Sequence, residues 1–111
     1  MNKKQIGKIQ KISFGHGGYQ DAMIGISFEL GSDKDNWGVN DFWGYWNFPP
    51  DSFSHWTKQD QIKSLGEMVL KINKLLSDAK VYDINKLMGI PIEVEFENNT
   101  LKSWRILTEV I

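Results

Sequence analysis

The chain has 111 residues and a formal net charge of −1, with 41% hydrophobic and 24% charged residues. This size and composition are typical of a single soluble globular domain. No cysteine is present, which excludes a disulfide framework, and no apolar run approaches the roughly 20 residues of a membrane-spanning helix. The near-neutral charge argues against general nucleic-acid binding. The first five residues are basic but lack an apolar signal-peptide region, so we expect a cytoplasmic protein.

Two strand-like segments open the chain. Residues 5–14 read as a strand whose apolar side chains change phase near Gln10, which predicts a β-bulge there. Residues 22–30 alternate between apolar and other side chains with a period of two, typical of a half-buried strand. A polar stretch at residues 31–36 then predicts a turn.

A third strand is predicted for residues 37–48, where three of the five tryptophans fall within ten residues. Gly38 and Gly44 in this segment predict bends or the close approach of another group. A small domain with one helix cannot easily bury all the aromatic side chains here. We therefore expect some to be exposed for function, or buried in a homo-oligomer. The aromatic residues are Trp37, Phe42, Trp43, Tyr45, Trp46 and Phe48.

A long amphipathic helix is predicted for residues 58–80. Thr57 is a good N-cap, and Asp60 stands three residues later, as in a capping box. Apolar residues then recur at spacings of three and four, which places them on one helix face. This stripe consists of Ile62, Leu65, Val69, Ile72, Leu76 and Ala79.

The remaining chain returns to strands after a short helical turn at residues 83–89. Residues 90–96 alternate between apolar and polar positions, residues 97–100 form a hairpin turn, and residues 101–111 form the last strand. The order β-β-β-α-β-β predicts an α+β fold: one domain, residues 1–111, with an antiparallel sheet packed against one long helix.

Two stretches resemble a family of small, mostly uncharacterised phage and prophage accessory proteins. They are GHGGYQDAMIGISFEL (residues 15–30) and VEFENNTLKSWRILTEVI (residues 94–111), and the resemblance extends over most of the chain. The family brings no catalytic residues to carry over. It implies an anti-defence role in the cytoplasm of the host cell, either by binding a defence protein or by sequestering a nucleotide signal.

The glycine-rich connection after the first strand is the first candidate ligand site. Its glycines would let backbone N–H groups approach an anion, and neighbouring side chains would add contacts. The alternative is a hairpin connection in which the glycines adopt positive φ angles and the Asp21 carboxylate accepts hydrogen bonds from backbone amides. The candidate residues are His16, Gly17, Gly18, Tyr19, Gln20 and Asp21.

The aromatic strand is the second candidate site. Trp43 or Trp46 would stack on a base, while Asp41 or Gln20 fixes its orientation. The alternatives are that these rings fill the core beneath the helix or form the centre of a protein interface.

An acidic row lies on the predicted fourth strand, at Glu93, Glu95 and Glu97. It could present negative charge to a basic groove, as a nucleic-acid mimic would. We favour a solvated outer strand face, with Lys102 and Arg105 neutralising some of the carboxylates across the hairpin.

Catalysis has little support in the sequence. His16 with Asp21 or Asp41 could act as an acid–base pair in a small hydrolase. However, no metal-ligand spacing or nucleophile elbow is present, and we expect no metal or cofactor.

The leading hypothesis is a non-enzymatic, phage-encoded anti-defence protein. It would sequester a nucleotide-type immune signal between the glycine-rich connection and the aromatic strand. One alternative is direct inhibition of a host defence effector, such as a CRISPR nuclease complex. The other is the His16 hydrolase.

Overall fold

A computed structural model describes residues 2–46 and 57–111, apart from the side chain of Tyr19. The described residues form a five-stranded antiparallel sheet and one long helix, which confirms the predicted α+β fold and element order. Along the sheet the strands follow the order β3-β2-β1-β4-β5, so β1 is central and β3 and β5 are the edges. The elements are β1 (Asn2–Gly17), β2 (Met23–Ser32), β3 (Trp37–Trp46), α1 (Lys58–Ala79), β4 (Pro91–Glu97) and β5 (Thr100–Ile106).

The bulge predicted near Gln10 is present in β1. Ile9 lies opposite Leu30 and Ile12 lies opposite Phe28, and the register shifts by one residue between these pairs. Because the extra residue absorbs the phase change, both isoleucines face the same side of the sheet. The bulge therefore keeps a 16-residue strand in contact with one core.

The sheet is strongly curled, and the core lies on its concave face. In a flat sheet the two edge strands would be about 19 Å apart, at roughly 4.8 Å per strand. Instead, the indole rings of Trp43 on β3 and Trp104 on β5 stack with centroids 5.5 Å apart. The core inside this curl consists of Ile9, Ile26, Phe28, Leu30, Leu75, Ala79, Leu87, Ile92, Val94 and Ile106.

The helix begins with the predicted capping box. The Thr57 hydroxyl accepts a hydrogen bond from the Asp60 backbone N–H at 3.1 Å, and the Asp60 carboxylate accepts one from the Thr57 N–H at 3.0 Å. The helix ends at Lys80, whose backbone adopts φ 59° and whose N–H donates to the carbonyl oxygens of Leu76 and Ser77. The predicted limits of this helix are therefore confirmed.

The predicted apolar stripe of α1 meets the sheet only in its second half. Ile62, Leu65 and Val69 are 57%, 39% and 54% exposed. The helix buries Met68 and Leu75, which lie off the predicted stripe, together with Ala79, which belongs to it. The helix carries two apolar stripes. It is rotated about its axis so that Met68 and Leu75 pack on the sheet, and this orientation turns the first half of the predicted stripe toward solvent.

The ends of other elements differ from prediction by a few residues. The first strand is longer than residues 5–14, and the last strand ends at Ile106. Thr108–Val110 form a 3-10 turn where the strand was predicted to continue. Pro91 begins β4, a position that suits a residue whose backbone cannot donate to the ladder. Residues 47 and 48 of the predicted third strand lie outside the described residues.

Among the described residues, no helix is both long and apolar enough to span a bilayer.

Candidate functional site

The carboxylate of Asp41 joins the two edge strands of the sheet. Its Oδ2 accepts hydrogen bonds from the indole nitrogens of Trp43 at 2.9 Å and Trp104 at 2.7 Å. Its Oδ1 accepts one from the backbone N–H of Phe42 at 2.9 Å. Both oxygens therefore have internal donors, so the predicted role of Asp41 in reading a ligand would require breaking these bonds.

The ring of Trp43 is held by three neighbours. It stacks on Trp104 with an interplanar angle of 19° and meets Phe28 edge-on with centroids 4.7 Å apart. The Nζ of Lys71 on α1 lies 4.3 Å from the Trp43 ring centroid, which is cation–π geometry. These contacts favour the alternative in which Trp43 packs between sheet and helix over its use as an open platform for a base.

The glycine-rich connection forms a tight turn between β1 and β2. The Asp21 N–H donates to the Gly18 carbonyl at 3.3 Å. Gly18, Gln20 and Asp21 all have positive φ, at 71°, 53° and 55°. Positive φ is uncommon for residues other than glycine and is tolerated mainly in such turns. The backbone thus matches the hairpin alternative.

The two adjacent glycines of this connection also permit close packing. A Cβ on Gly17 would lie 3.0 Å from Cε2 of Phe42, and one on Gly18 would lie 2.7 Å from Sδ of Met23. Side chains therefore already cover one side of each glycine. This packing accounts for both glycines without a ligand.

The predicted ligand residues divide into two groups along the sheet. His16 lies opposite Ile24, and Trp46 lies opposite Met23, so both are at the end of the sheet that carries the glycine-rich connection. Asp41 lies opposite Phe28, five residues from Met23 along β2 and hence about 17 Å away along the strand. The structure therefore does not assemble the predicted residues into one pocket.

The same register bears on the hydrolase hypothesis. His16 shares a row with Ile24 and Tyr45, and Asp41 lies four residues along β3 from Tyr45, about 14 Å away. A His16–Asp41 acid–base pair is therefore not formed. Within residues 2–46 and 57–111, no group of three or more His, Asp or Glu side chains is arranged to hold a metal.

The acidic row on β4 is neutralised across the hairpin, as the sequence suggested. Arg105 Nε lies 3.2 Å from a Glu93 oxygen. Lys102 Nζ lies 3.9 Å from Glu95 and 3.7 Å from Glu97. These pairs support the interpretation of the row as a solvated outer face.

An exposed apolar surface on α1 is the main feature that the sequence did not reveal. We call it the helix surface; it consists of Ile62, Leu65, Val69 and Leu70, and Leu70 is 68% exposed. Gly66 lies among these residues, and a Cβ added there would have no neighbour within 4 Å in residues 2–46 and 57–111. The spacing of these apolar residues was visible in the sequence, but the rotation of the helix about its axis was not.

No protein-family model, curated protein or solved structure matches the chain.

Proposed function

We propose that this chain is a non-enzymatic binding protein that docks a partner protein on the helix surface. The observation that carries the proposal is the exposure of Ile62, Leu65 and Val69, between 39% and 57%, on a helix that is otherwise well anchored. Contiguous exposed apolar side chains on a soluble domain commonly mark an interaction site. Burying each such side chain fully would contribute about 1.5–3 kcal/mol.

Gly66, in the middle of the helix surface, is a second observation in favour of close contact between the helix and a partner. A glycine inside a helix costs about 0.5–1 kcal/mol relative to alanine. Among the described residues, Gly66 has no neighbour that requires the absence of a side chain. A partner backbone that approaches closely at Gly66 would account for it.

The charges around the helix surface suggest the chemistry of the partner. Lys58 precedes Ile62 by one helical turn, and Lys63 follows it directly. Neither lysine lies within 4 Å of a carboxylate among the described residues, although Lys63 interacts electrostatically with Asp60 one turn earlier. An apolar groove with an acidic rim would complement Lys58 and Lys63 at the start of this surface.

The resemblance to phage accessory proteins makes a host defence effector, such as a CRISPR nuclease complex, the class of partner that we favour. Capture of a nucleotide between the glycine-rich connection and Trp43 has less support, because Trp43 and Asp41 are engaged with each other and with Trp104. We accordingly place direct protein inhibition ahead of nucleotide sequestration.

Affinity purification from host lysate tests the proposal. The tagged wild type, Val69→Asp and the control Asn36→Asp would be compared by quantitative mass spectrometry. Asn36 is an exposed turn residue at φ 56°, a conformation that Asp tolerates, so the control adds the same charge away from the helix surface.

A host protein retained by the wild type and by Asn36→Asp, but lost with Val69→Asp, is the expected result. Equal retention by all three would refute docking on the helix surface. Light scattering on the same samples gives the oligomeric state, and a dimer abolished by Val69→Asp would identify a second copy as the occupant instead.

A further inference from the structure

A cleft at the opposite end of β3 from the glycine-rich connection has the features of a small-ligand site. Its volume is about 400 Å³, within the usual range for ligand pockets. Two aromatic rings line it, Trp37 and Phe96, which meet edge-on with centroids 5.7 Å apart. The Trp37 ring lies against β1, because a Cβ on Gly7 would be 2.7 Å from its Cζ2 atom.

Polar side chains line the rest of the cleft, and none has a partner among the described residues. Lys3 shares the concave face of the sheet with Phe96, its pairing partner on β4. In the part of the chain that the structure describes, the Lys3 amine has no ion pair, and the three carboxamides have no hydrogen bond. These carboxamides belong to Gln5, Asn98 and Asn99.

The indole nitrogen of Trp37 adds a second, independent observation. It is buried and has no hydrogen-bond acceptor, and no other buried side-chain nitrogen or oxygen in the described residues lacks a partner. Buried donors are nearly always paired in native proteins, so such a group needs an explanation. Because the nitrogen is buried, an acceptor atom of a ligand can reach it only if the Trp37 ring shifts, and such a shift would pair the donor.

We propose that this cleft binds a small planar anion of the nucleotide type. The ring would lie against Trp37 and Phe96, the anionic group would pair with Lys3, and the Asn98–Asn99 turn would bond its polar edge. Ligand binding in this cleft is independent of partner docking, because none of these residues belongs to the helix surface. The cleft is also separate from the residues that the sequence predicted for a nucleotide-type ligand.

Titration of the ¹⁵N-labelled full chain with adenosine monophosphate tests this site, with adenosine and inorganic phosphate as separate probes. The Trp37 indole N–H signal, assigned from Trp37→Phe, reports directly on the cleft. Lys3→Gln is the test variant. Lys4→Gln is the matched control, since Lys4 is the next residue and faces the other side of the sheet.

We expect the monophosphate to shift the Trp37 N–H signal with a dissociation constant below about 1 mM. Lys3→Gln should weaken binding about tenfold, Lys4→Gln should leave it unchanged, and each half-ligand should bind more weakly. An unmoved Trp37 signal would overturn the proposal, as would equal effects of the two lysine variants. If inorganic phosphate bound as tightly as the monophosphate, the planar ring would contribute nothing to binding, and the proposal of a planar ligand would be wrong.

Discussion

Asp41 on β3 accepts a 2.7 Å hydrogen bond from the indole nitrogen of Trp104 on β5, 63 residues further along the chain. These two residues lie on the opposite edges of the sheet. A bond between them requires the sheet to curl until its edges meet. A carboxylate placed between two tryptophans thus fixes the curvature that encloses the core.

Replacing Asp41 with Asn should destabilise the fold. The neutral amide loses the charge that strengthens both indole bonds, and its single acceptor oxygen cannot reproduce every bond that the carboxylate makes. We expect a loss of about 1.5–3 kcal/mol in the free energy of unfolding, measured in urea. Asp33→Asn is the control, because exposed Asp33 accepts a single long bond, at 3.3 Å, from the described residues. Equal midpoints for both variants would refute the role of Asp41.

A row of glycines crosses three strands, and its members should respond very differently to substitution. Gly15 lies opposite Gly25, which lies opposite Gly44. A Cβ on Gly25 would collide with the backbone oxygen of Trp43, whereas one on Gly15 would have no neighbour within 4 Å among the residues that the structure describes. The backbones of β2 and β3 therefore approach closely at Gly25, whereas Gly15 faces open space.

Gly25→Ala should therefore cost at least about 1–3 kcal/mol in unfolding free energy, and Gly15→Ala should change it by no more than about 0.5 kcal/mol. Thermal unfolding of the two variants side by side provides the measurement. Comparable melting temperatures would mean that β2 and β3 can move apart at Gly25 without a loss of stability.

Local signals in the sequence were enough to predict the elements and some fine detail. The change of apolar phase near Gln10 predicts the bulge, and Thr57 with Asp60 predicts the start of the helix, because each depends on neighbouring residues only. The last strand was predicted too long. Its apolar alternation continues into Thr108–Val110, where the backbone forms a 3-10 turn instead.

The candidate sites were less predictable because they depend on contacts between distant segments. Nothing near Asp41 in the chain indicates that Trp104 is its partner. The cleft at Trp37 needs β1, β3 and the β4–β5 turn to meet, and the rotation of α1 is decided by Met68 and Leu75 against the sheet. Aromatic composition indicated an unusual segment without indicating which rings are already engaged.

The helix cap gives a third prediction. Thr57→Ala removes the acceptor for the Asp60 backbone N–H, so it should lower the unfolding free energy by about 1 kcal/mol. Thr57→Ser keeps the hydroxyl and should recover most of this loss. Urea titrations of both variants check the expectation. If alanine and serine behaved alike, the capping bond would have no measurable effect on stability.

The Arg105–Glu109 pair gives a pH-dependent prediction. Two guanidinium nitrogens of Arg105 lie 2.8 Å from the two carboxylate oxygens of Glu109. Hydrogen bonding to Arg105 is the main cause that lowers the pKa of Glu109 from 4.5 to about 2. Because the folded-state pKa is depressed, the pair contributes stability above about pH 4.5 and loses it as the pH falls toward 2.

Arg105→Gln should return the pKa of Glu109 toward its ordinary value, followed by ¹³C NMR of the side-chain carboxyl during an acid titration. Lys102→Gln is the matched control: it removes a cation from the same strand, and Lys102 pairs with Glu95 and Glu97 rather than with Glu109. A low Glu109 pKa that persists in Arg105→Gln would show that the pair does not form in solution. A rise confined to that variant would establish that Arg105 fixes the turn after β5 to the strand.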